Sequence, residues 1–178
     1  MQCDKICPMS KYTPFEISIT AIICKGSKYL ITKRSLTKPR FPGKWTVPGG
    51  HLGPEDYESY PKDTEECWYN VLEKALAREV KEEVGLEVEN VRYLTSLIID
   101  IPIEETVPLV ISCLADYKNG EVKLEEGEAD EFAWITTKEA KKYDLIGGIL
   151  DELIMADKLR KGEKTQWQQH FTHTNQQM

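Results

Sequence analysis

Strand-forming runs and helical segments alternate along this 178-residue chain. Two β-branched runs, Glu16–Lys25 and Lys28–Lys33, are separated by Gly26-Ser27, a turn sequence that predicts a β-hairpin. The other predicted strands are Trp45–Val47, Val88–Ile101, Val107–Tyr117 and Glu131–Thr136. Strands interleaved with long helices predict one α/β domain with a mixed sheet and helices on both faces.

A long amphipathic helix is predicted from about Thr64 to Val84. Asp63 and Glu66 have the spacing of a capping box, and Gly85 is a natural C-terminal stop. Its apolar stripe consists of Trp68, Leu72, Leu76, Val80 and Val84. The other predicted helices are a short one capped by Thr137 and ending near Tyr143, and an amphipathic one at Ile146–Leu159.

The charge balance limits the classes of partner. Lys and Arg number 23 against 30 Asp and Glu, so the formal net charge is −7. A binder of nucleic acid or of anionic membranes needs a basic surface, so we expect neither partner. The chain also shows no signal peptide and no apolar run near the roughly 20 residues of a membrane span, which favours a cytoplasmic location. Its five cysteines, an odd number, are not a disulfide framework.

Three glutamates stand out near the end of the long helix. Glu79, Glu82 and Glu83 follow the i, i+3, i+4 pattern, so their carboxylates share one helix face. The helix dipole disfavours anions in the last turns by about 0.3–1 kcal/mol per charge. A hard divalent cation, Mg²⁺ or Mn²⁺, would offset that repulsion. The alternative is a solvated charged face, with Arg78 and Lys81 as partial neutralisers.

The segment Arg78–Leu86 resembles the second half of the Nudix box, G-x5-E-x7-R-E-U-x-E-E-x-G-U with U aliphatic, and matches all seven of its constrained positions there. Upstream, Trp45–Leu52 resembles the strand and glycine turn that open the box. The resemblance covers about residues 16–160 and implies a Nudix-like α/β/α sandwich with a mixed β-sheet. It divides the chain into an N-terminal tail (1–14), a Nudix hydrolase domain (15–160) and a polar C-terminal tail (161–178).

The resemblance also implies residue roles. Glu79, Glu82 and Glu83 would bind the metal, and Arg78 would be structural, paired with a carboxylate. A further acidic residue six positions before a Trp, a metal ligand or base in many members, corresponds to Glu128. Glu128 lies in an acidic stretch for which a solvated loop is the alternative.

Candidate substrate-binding residues lie nearer the N-terminus. Gly49 and Gly50 allow a tight turn and close approach to phosphate. The basic candidates for phosphate binding are Lys33, Arg34, Arg40 and Lys44. The aromatic candidates for stacking on a base are Phe41, Tyr57, Tyr60 and Trp68, with core packing as the alternative. From these sets we select Arg34, Lys44 and Tyr57.

One departure from the family pattern concerns length. Gly50 and Arg78 are 28 positions apart, 14 more than the box allows. The first box Glu falls on Asp56 when counted forward and on Asn70 when counted back, and Glu65 or Glu66 could also substitute. The extra segment, about Tyr57–Tyr69, is either a rim of the substrate site or an inert surface loop.

The resemblance implies Mg²⁺- or Mn²⁺-dependent cleavage of the pyrophosphate linkage of a nucleoside diphosphate derivative. A nucleoside triphosphate and a nucleotide sugar such as ADP-ribose are both open as substrates. A catalytically idle Nudix fold that binds nucleotide as a sensor is the alternative from another class. The expected partner is a small-molecule nucleotide, and a homodimer remains open.

Overall fold

A hairpin opens the fold in the computed structural model, which describes residues 15–99 and 106–163. β1 (Phe15–Lys25) pairs antiparallel with β2 (Lys28–Arg34), and Gly26 turns the chain with a φ of +60°. This φ lies in the left-handed region that glycine adopts without penalty. The predicted hairpin is therefore confirmed.

The remaining elements follow in chain order. They are β3 (Trp45–Thr46), β4 (Gly49–His51), α1 (Glu55–Glu58), α2 (Val71–Val84), β5 (Glu87–Ile98), β6 (Val107–Asn119), β7 (Ala129–Ile135), α3 (Thr137–Ala140) and α4 (Ile149–Arg160). Within the two described ranges, seven strands form one sheet whose main order is β3-β2-β1-β6-β5. β4 pairs with β1 and β7 pairs with β2. The sheet is mixed, because β1 and β6 run parallel and the other strand pairs run antiparallel.

Two apolar cores lie on opposite faces of this sheet. The alternation of β1 separates them: Ile19 and Ile23 belong to the core under α2, whereas Ile22 belongs to the core under α4. Because successive strand side chains point to opposite faces, one strand supplies both cores. The α/β/α sandwich with a mixed sheet is confirmed. Cys24 and Cys113 are buried free cysteines.

The predicted start of the long helix was wrong. α2 begins at Val71, and the residue before it, Asn70, is left-handed with a φ of +55°. The Asp63 carboxylate accepts a hydrogen bond from the Tyr69 amide at 2.9 Å, and the Thr64 hydroxyl accepts one from the Cys67 amide at 3.0 Å. Short polar side chains that bond local backbone compete with a helix, and here they hold a folded loop. Trp68 therefore lies outside the helix, while the predicted stop at Gly85 is confirmed.

Two other helix starts also shift. Thr136, not Thr137, caps α3, since its hydroxyl accepts from the Glu139 amide in a capping box. α4 starts at Ile149 rather than Ile146, directly after Gly148 with a φ of +98°. In each case the boundary follows backbone geometry that hydrophobic periodicity does not report.

The predicted N-terminal tail (1–14) and all but three residues of the predicted C-terminal tail (161–178) lie outside the described residues. Those boundaries stay predictions. In the described ranges, no helix is both long enough and apolar enough to cross a membrane.

Candidate active site

The glycine turn of β4 brings the backbone of two neighbouring elements into close contact. A Cβ on Gly49 would overlap the Ile19 carbonyl oxygen and the Thr20 Cα of β1. A Cβ on Gly50 would overlap the carboxylate of Glu79 on α2. At Gly49 the neighbouring atoms are backbone, so a side chain there is excluded sterically, whereas at Gly50 a side chain would displace the Glu79 carboxylate. The turn therefore lies directly against α2.

Arg78 is the centre of an ion-pair network at this contact. Its Nε donates to Asp56 Oδ1 at 2.8 Å and its Nη2 donates to Asp56 Oδ2 at 3.1 Å. The Asp56 side chain is 1% exposed, and its Oδ2 also accepts from the Gly53 amide at 2.9 Å. The hydrogen bond from Arg78 holds the pKa of Asp56 below its usual value. Of the residues left open for the first acidic box position, Asp56 is the one that pairs with Arg78.

The same guanidinium contacts two of the predicted metal-binding glutamates. Nη1 donates to Glu82 Oε2 at 2.8 Å, and Nη2 lies 2.9 Å from Glu79 Oε1. Nη2 also donates to the His51 carbonyl oxygen at 3.4 Å, which ties the glycine turn to the helix. Arg78 therefore orients the carboxylates as well as the backbone around them.

A cavity that we call the acidic cavity lies between α2, the glycine turn and the segment before β7. Its carboxylate-bearing lining residues are Glu79, Glu83, Glu125 and Glu128. Glu83 Oε2 accepts a hydrogen bond from the Gly49 amide at 2.9 Å. Burial, together with the charges of Glu128 and Glu79, raises the pKa of Glu83 to about 7. Burial also raises the pKa of Glu79.

The structure brings Glu128, which is distant from α2 in sequence, into the cavity beside Glu79 and Glu83. The side chain of Glu82 is 52% exposed and turned to Arg78, outside the lining of the cavity. Glu128 forms an ion pair with Lys38, a residue that the sequence analysis did not select. Lys38 follows β2 in a polar loop without periodicity, so no sequence signal marked it.

The donor set fits a hard divalent cation by its chemistry, because carboxylate oxygens are the ligands that Mg²⁺ and Mn²⁺ prefer. Across the described parts of the chain, no group of three or more His, Cys, Asp or Glu side chains stands ready to hold a metal ion. Arg78 and Lys38 instead neutralise Glu79, Glu82 and Glu128. Metal binding would exchange these ion pairs for metal–oxygen bonds.

Of the predicted phosphate-binding residues Arg34 and Lys44, Arg34 lines the acidic cavity and Lys44 does not. Arg34 is half-buried, donates from Nε to the Arg40 carbonyl oxygen at 2.9 Å and lines the acidic cavity. Burial lowers the pKa of its guanidinium. Lys44 pairs with Asp144 at 2.6 Å on the surface and lines neither the acidic cavity nor the cleft described below.

Tyr57 belongs to the extra segment, which folds upon itself. The Tyr57 and Trp68 rings meet edge-to-face with centroids 5.4 Å apart, and Trp68 Nε1 donates to the Tyr60 carbonyl oxygen at 2.9 Å. Lys62 lies over the Trp68 ring. None of residues 57–69 lines the acidic cavity or the neighbouring cleft.

A second concave region, which we call the apolar cleft, lies on the α4 side of the glycine turn. Its lining includes Thr20, Phe41, Leu97, Val110, Ile149 and Glu152. Arg34 and the turn Gly49–His51 line both the cleft and the acidic cavity, so the two regions are continuous. The sequence analysis selected neither Thr20 nor Glu152. The signal that could have found Thr20 is the polar pair Ser18 and Thr20 within an otherwise apolar strand.

Comparisons with known proteins agree with this geometry. The family model for the NUDIX domain matches residues 14–154. The chain is 27% identical over 136 residues to the NAD-capped RNA hydrolase NudC of Pseudomonas aeruginosa, covering 76% of this chain and 41% of that protein. It is 25% identical over 138 residues to the nucleoside triphosphatase NudI of Klebsiella pneumoniae, covering 71% of this chain and 86% of that protein.

A solved structure shows the same fold. The MutT protein of Methanosarcina mazei aligns with a TM-score of 0.63 at 24% identity, covering 87% of this chain and 100% of that one. The chain spans less than half the length of the NudC relative, 41%. The match to NudI extends over most of both proteins.

Proposed function

The chain belongs to the Nudix hydrolase family, and on that premise we propose that it hydrolyses the pyrophosphate linkage of a nucleoside diphosphate derivative with Mg²⁺ or Mn²⁺ as cofactor. A nucleoside triphosphate is the first candidate substrate and a nucleotide sugar such as ADP-ribose the second. The observation that carries the proposal is the meeting of Glu79, Glu83 and Glu128 in one cavity against the glycine turn. The extended match to NudI supports the triphosphate.

The carboxylates supply the acidic half of the site. Glu79, Glu82, Glu83 and Glu128 would hold the cation. When bound, the cation neutralises phosphate oxygens, lowers the pKa of a bound water and stabilises the leaving oxygen. One carboxylate of this set takes up the proton of the attacking water. The buried Asp56–Arg78 pair fixes the helix glutamates against the turn.

Basic groups of the cavity would hold the phosphates. Arg34 and Lys38 line the cavity together with Glu79 and Glu83. Guanidinium and ammonium groups form charge-assisted hydrogen bonds to phosphate oxygens. Within the described residues, the two terminal nitrogens of Arg34 make no hydrogen bond, so they are available to a phosphate. The apolar cleft, continuous with the cavity at Arg34 and Gly49–His51, would hold the nucleoside part.

A panel of nucleoside triphosphates and nucleotide sugars, with Mg²⁺ or with a chelator, tests the proposal when products are separated by chromatography. We expect chelator-sensitive cleavage of at least one compound. Glu82→Gln and Glu83→Gln should each lower kcat at least about 100-fold, because each removes a charge that acts on the transition state. Glu73→Gln is the matched control, since Glu73 is an exposed glutamate in the first turn of α2.

Wild-type rates in Glu82→Gln and Glu83→Gln would contradict the assignment of the site. Tight nucleotide binding without turnover of any compound would instead favour the idle sensor. The cytoplasmic location, the absence of a nucleic-acid partner and the oligomeric state stay predictions.

A further inference from the structure

The sheet face under α4 changes from apolar to polar where it enters the apolar cleft. On β1 this face carries Ile22 in the core and then Thr20 in the cleft. β6 pairs in parallel with β1, and Ser112 is the register partner of Thr20. Two hydroxyl-bearing residues therefore lie side by side where this face of the sheet meets the cleft.

Glu152 reaches this polar pair from α4. It is 5% exposed, and its Oε2 accepts a hydrogen bond from Ser112 Oγ at 2.6 Å. Its other oxygen, Oε1, has no hydrogen-bond partner in the described ranges, and Glu152 lines the cleft. An ionised carboxylate only accepts hydrogen bonds, so Oε1 presents an acceptor to whatever enters the cleft.

Thr20 supplies a second unused polar group. Among the buried side-chain nitrogen and oxygen atoms of the described residues, Thr20 Oγ1 is the one without a hydrogen-bond partner. A buried hydroxyl without a partner destabilises the folded protein, and such exceptions in native structures are uncommon. A ligand in the cleft would provide the missing partner.

The rest of the cleft suits a flat, largely apolar group. Phe41, Leu97, Val110 and Ile149 surround the polar pair. Since Arg34 and Gly49–His51 line both regions, a ligand with its phosphates in the acidic cavity reaches the cleft with its base.

We propose that Glu152 is a specificity-determining residue that selects substrates whose nucleobase carries an exocyclic amino group, which donates to Oε1 while Thr20 hydrogen-bonds the same base. This inference rests on the proposed function for the orientation of the nucleotide. Amino-bearing bases are guanine, adenine and cytosine, and their nearest analogues without the donor are hypoxanthine and uracil. A site that presents a buried acceptor discriminates against an analogue that leaves the acceptor unpaired.

Binding of nucleoside monophosphates to the full chain, measured by calorimetry without metal, tests the inference independently of hydrolysis. The matched pairs are GMP with IMP, which differ by one amino group, and CMP with UMP. We expect the amino-bearing member of at least one pair to bind about tenfold more tightly, or more. The kcat/KM ratios of the corresponding triphosphates give a second readout, and there the difference should fall mainly on KM.

Glu152→Gln sharpens the test. The Gln side-chain oxygen can still accept from Ser112, and its amide nitrogen then presents a donor to the cleft. We expect the GMP/IMP ratio to approach one and the CMP/UMP preference to turn toward UMP. Asp151→Asn is the matched control, because Asp151 is exposed on the same helix and does not line the cleft.

The two proposals can fail separately. Amino-dependent binding without hydrolysis of any nucleotide would support this inference and contradict the proposed function. Hydrolysis with equal kcat/KM values within each pair, or ratios that Glu152→Gln leaves unchanged, would overturn this inference alone. A preference of the wild type for IMP and UMP would also overturn it, because it would mean that the cleft presents a donor.

Discussion

The acidic cavity and the apolar cleft share the glycine turn but differ in whether their polar groups have partners within the protein. At the cavity, Arg78 neutralises Glu79 and Lys38 neutralises Glu128, and Asp56 behind Arg78 is bonded through both oxygens. In the cleft, Thr20 Oγ1 has no partner in the described residues, and Glu152 uses one oxygen. The cavity thus has an internal scaffold that can hold charge without a ligand, whereas the cleft leaves polar groups for a ligand to satisfy. Under the two proposals above, hydrolysis takes place in the cavity and the cleft selects the base.

The largest effect is expected from a substitution in the glycine turn, because both regions share it. Gly49→Ala would place a Cβ against the backbone of Ile19 and Thr20, so β4 would have to move away from β1. Overpacking of this kind costs about 1–3 kcal/mol. We expect a lower Tm by thermal denaturation, loss of hydrolysis and weaker nucleotide binding together. Gly147→Ala is the control for Tm alone, because a Cβ there meets nothing within 4 Å although Gly147 lines the cleft. A Gly49→Ala protein that is as stable and as active as wild type would contradict the close approach of β4 to β1.

Arg78→Lys should damage the cavity and spare the cleft. An ammonium group cannot reproduce the two parallel hydrogen bonds to buried Asp56, and each lost charge-assisted bond is worth about 1.5–3 kcal/mol. Chemical denaturation should show reduced stability, and kcat should fall while monophosphate affinity persists. Arg92→Lys is the control, since the Arg92–Asp116 pair is more exposed. If Arg78→Lys lost no more stability and no more kcat than Arg92→Lys, the pairing of Arg78 with Asp56 would contribute to neither folding nor catalysis.

Trp68→Ala tests whether the extra segment belongs to either region. The substitution removes the ring contact with Tyr57 and the cation–π contact with Lys62. We expect a loss of about 1 kcal/mol of folding stability from these contacts. KM should stay unchanged on every substrate, because residues 57–69 do not line the cavity or the cleft. A raised KM or a changed substrate preference would restore the rim interpretation and Tyr57 as a substrate-binding residue.

The smallest effect concerns the pH dependence of stability in the cleft. Burial raises the pKa of Glu152 above its usual value, 4.5, so the folded protein binds this proton more tightly than the unfolded chain does. The contribution of Glu152 to stability is therefore largest at low pH and declines as pH rises through the raised pKa. Urea denaturation from pH 4 to pH 8 should show a shallower decline for Glu152→Gln than for wild type. Identical slopes in both proteins would mean that Glu152 does not titrate with folding.

The two regions also differ in how much of each the sequence could predict. Arg78, Glu79, Glu82 and Glu83 lie on one helix, so their common face follows from helical periodicity alone. The partner of Arg78 was left open among Asp56, Asn70, Glu65 and Glu66, because counting from either end of an insertion cannot locate it. In the structure Asp56 is the residue that pairs with Arg78. The loop after Asp56 folds back on itself through the hydrogen bonds of the Asp63 and Trp68 side chains.

The cleft depends on pairings that no local pattern contains. Glu152 and Ser112 are 40 positions apart, and Thr20 joins them through a parallel register. Predicting this group needs the strand order, the register and the rotation of α4 together. The shifted start of α2 has a more local cause, because turn-forming hydrogen bonds from Asp63 and Thr64 replace the cap that their spacing suggested.

The parallel pairing of β1 with β6 has a consequence for synthesis on the ribosome. β1 emerges first, yet its register partners begin at Val107, and β2 waits for β7, which ends at Ile135. Until then, β1 and β2 have each other and the short strands β4 and β3 as partners, and exposed strand edges of this kind attract other chains. Nascent chains of this protein should therefore expose these strand edges during much of their translation. The acidic cavity and the apolar cleft are complete only once Glu128 and Glu152 have been made.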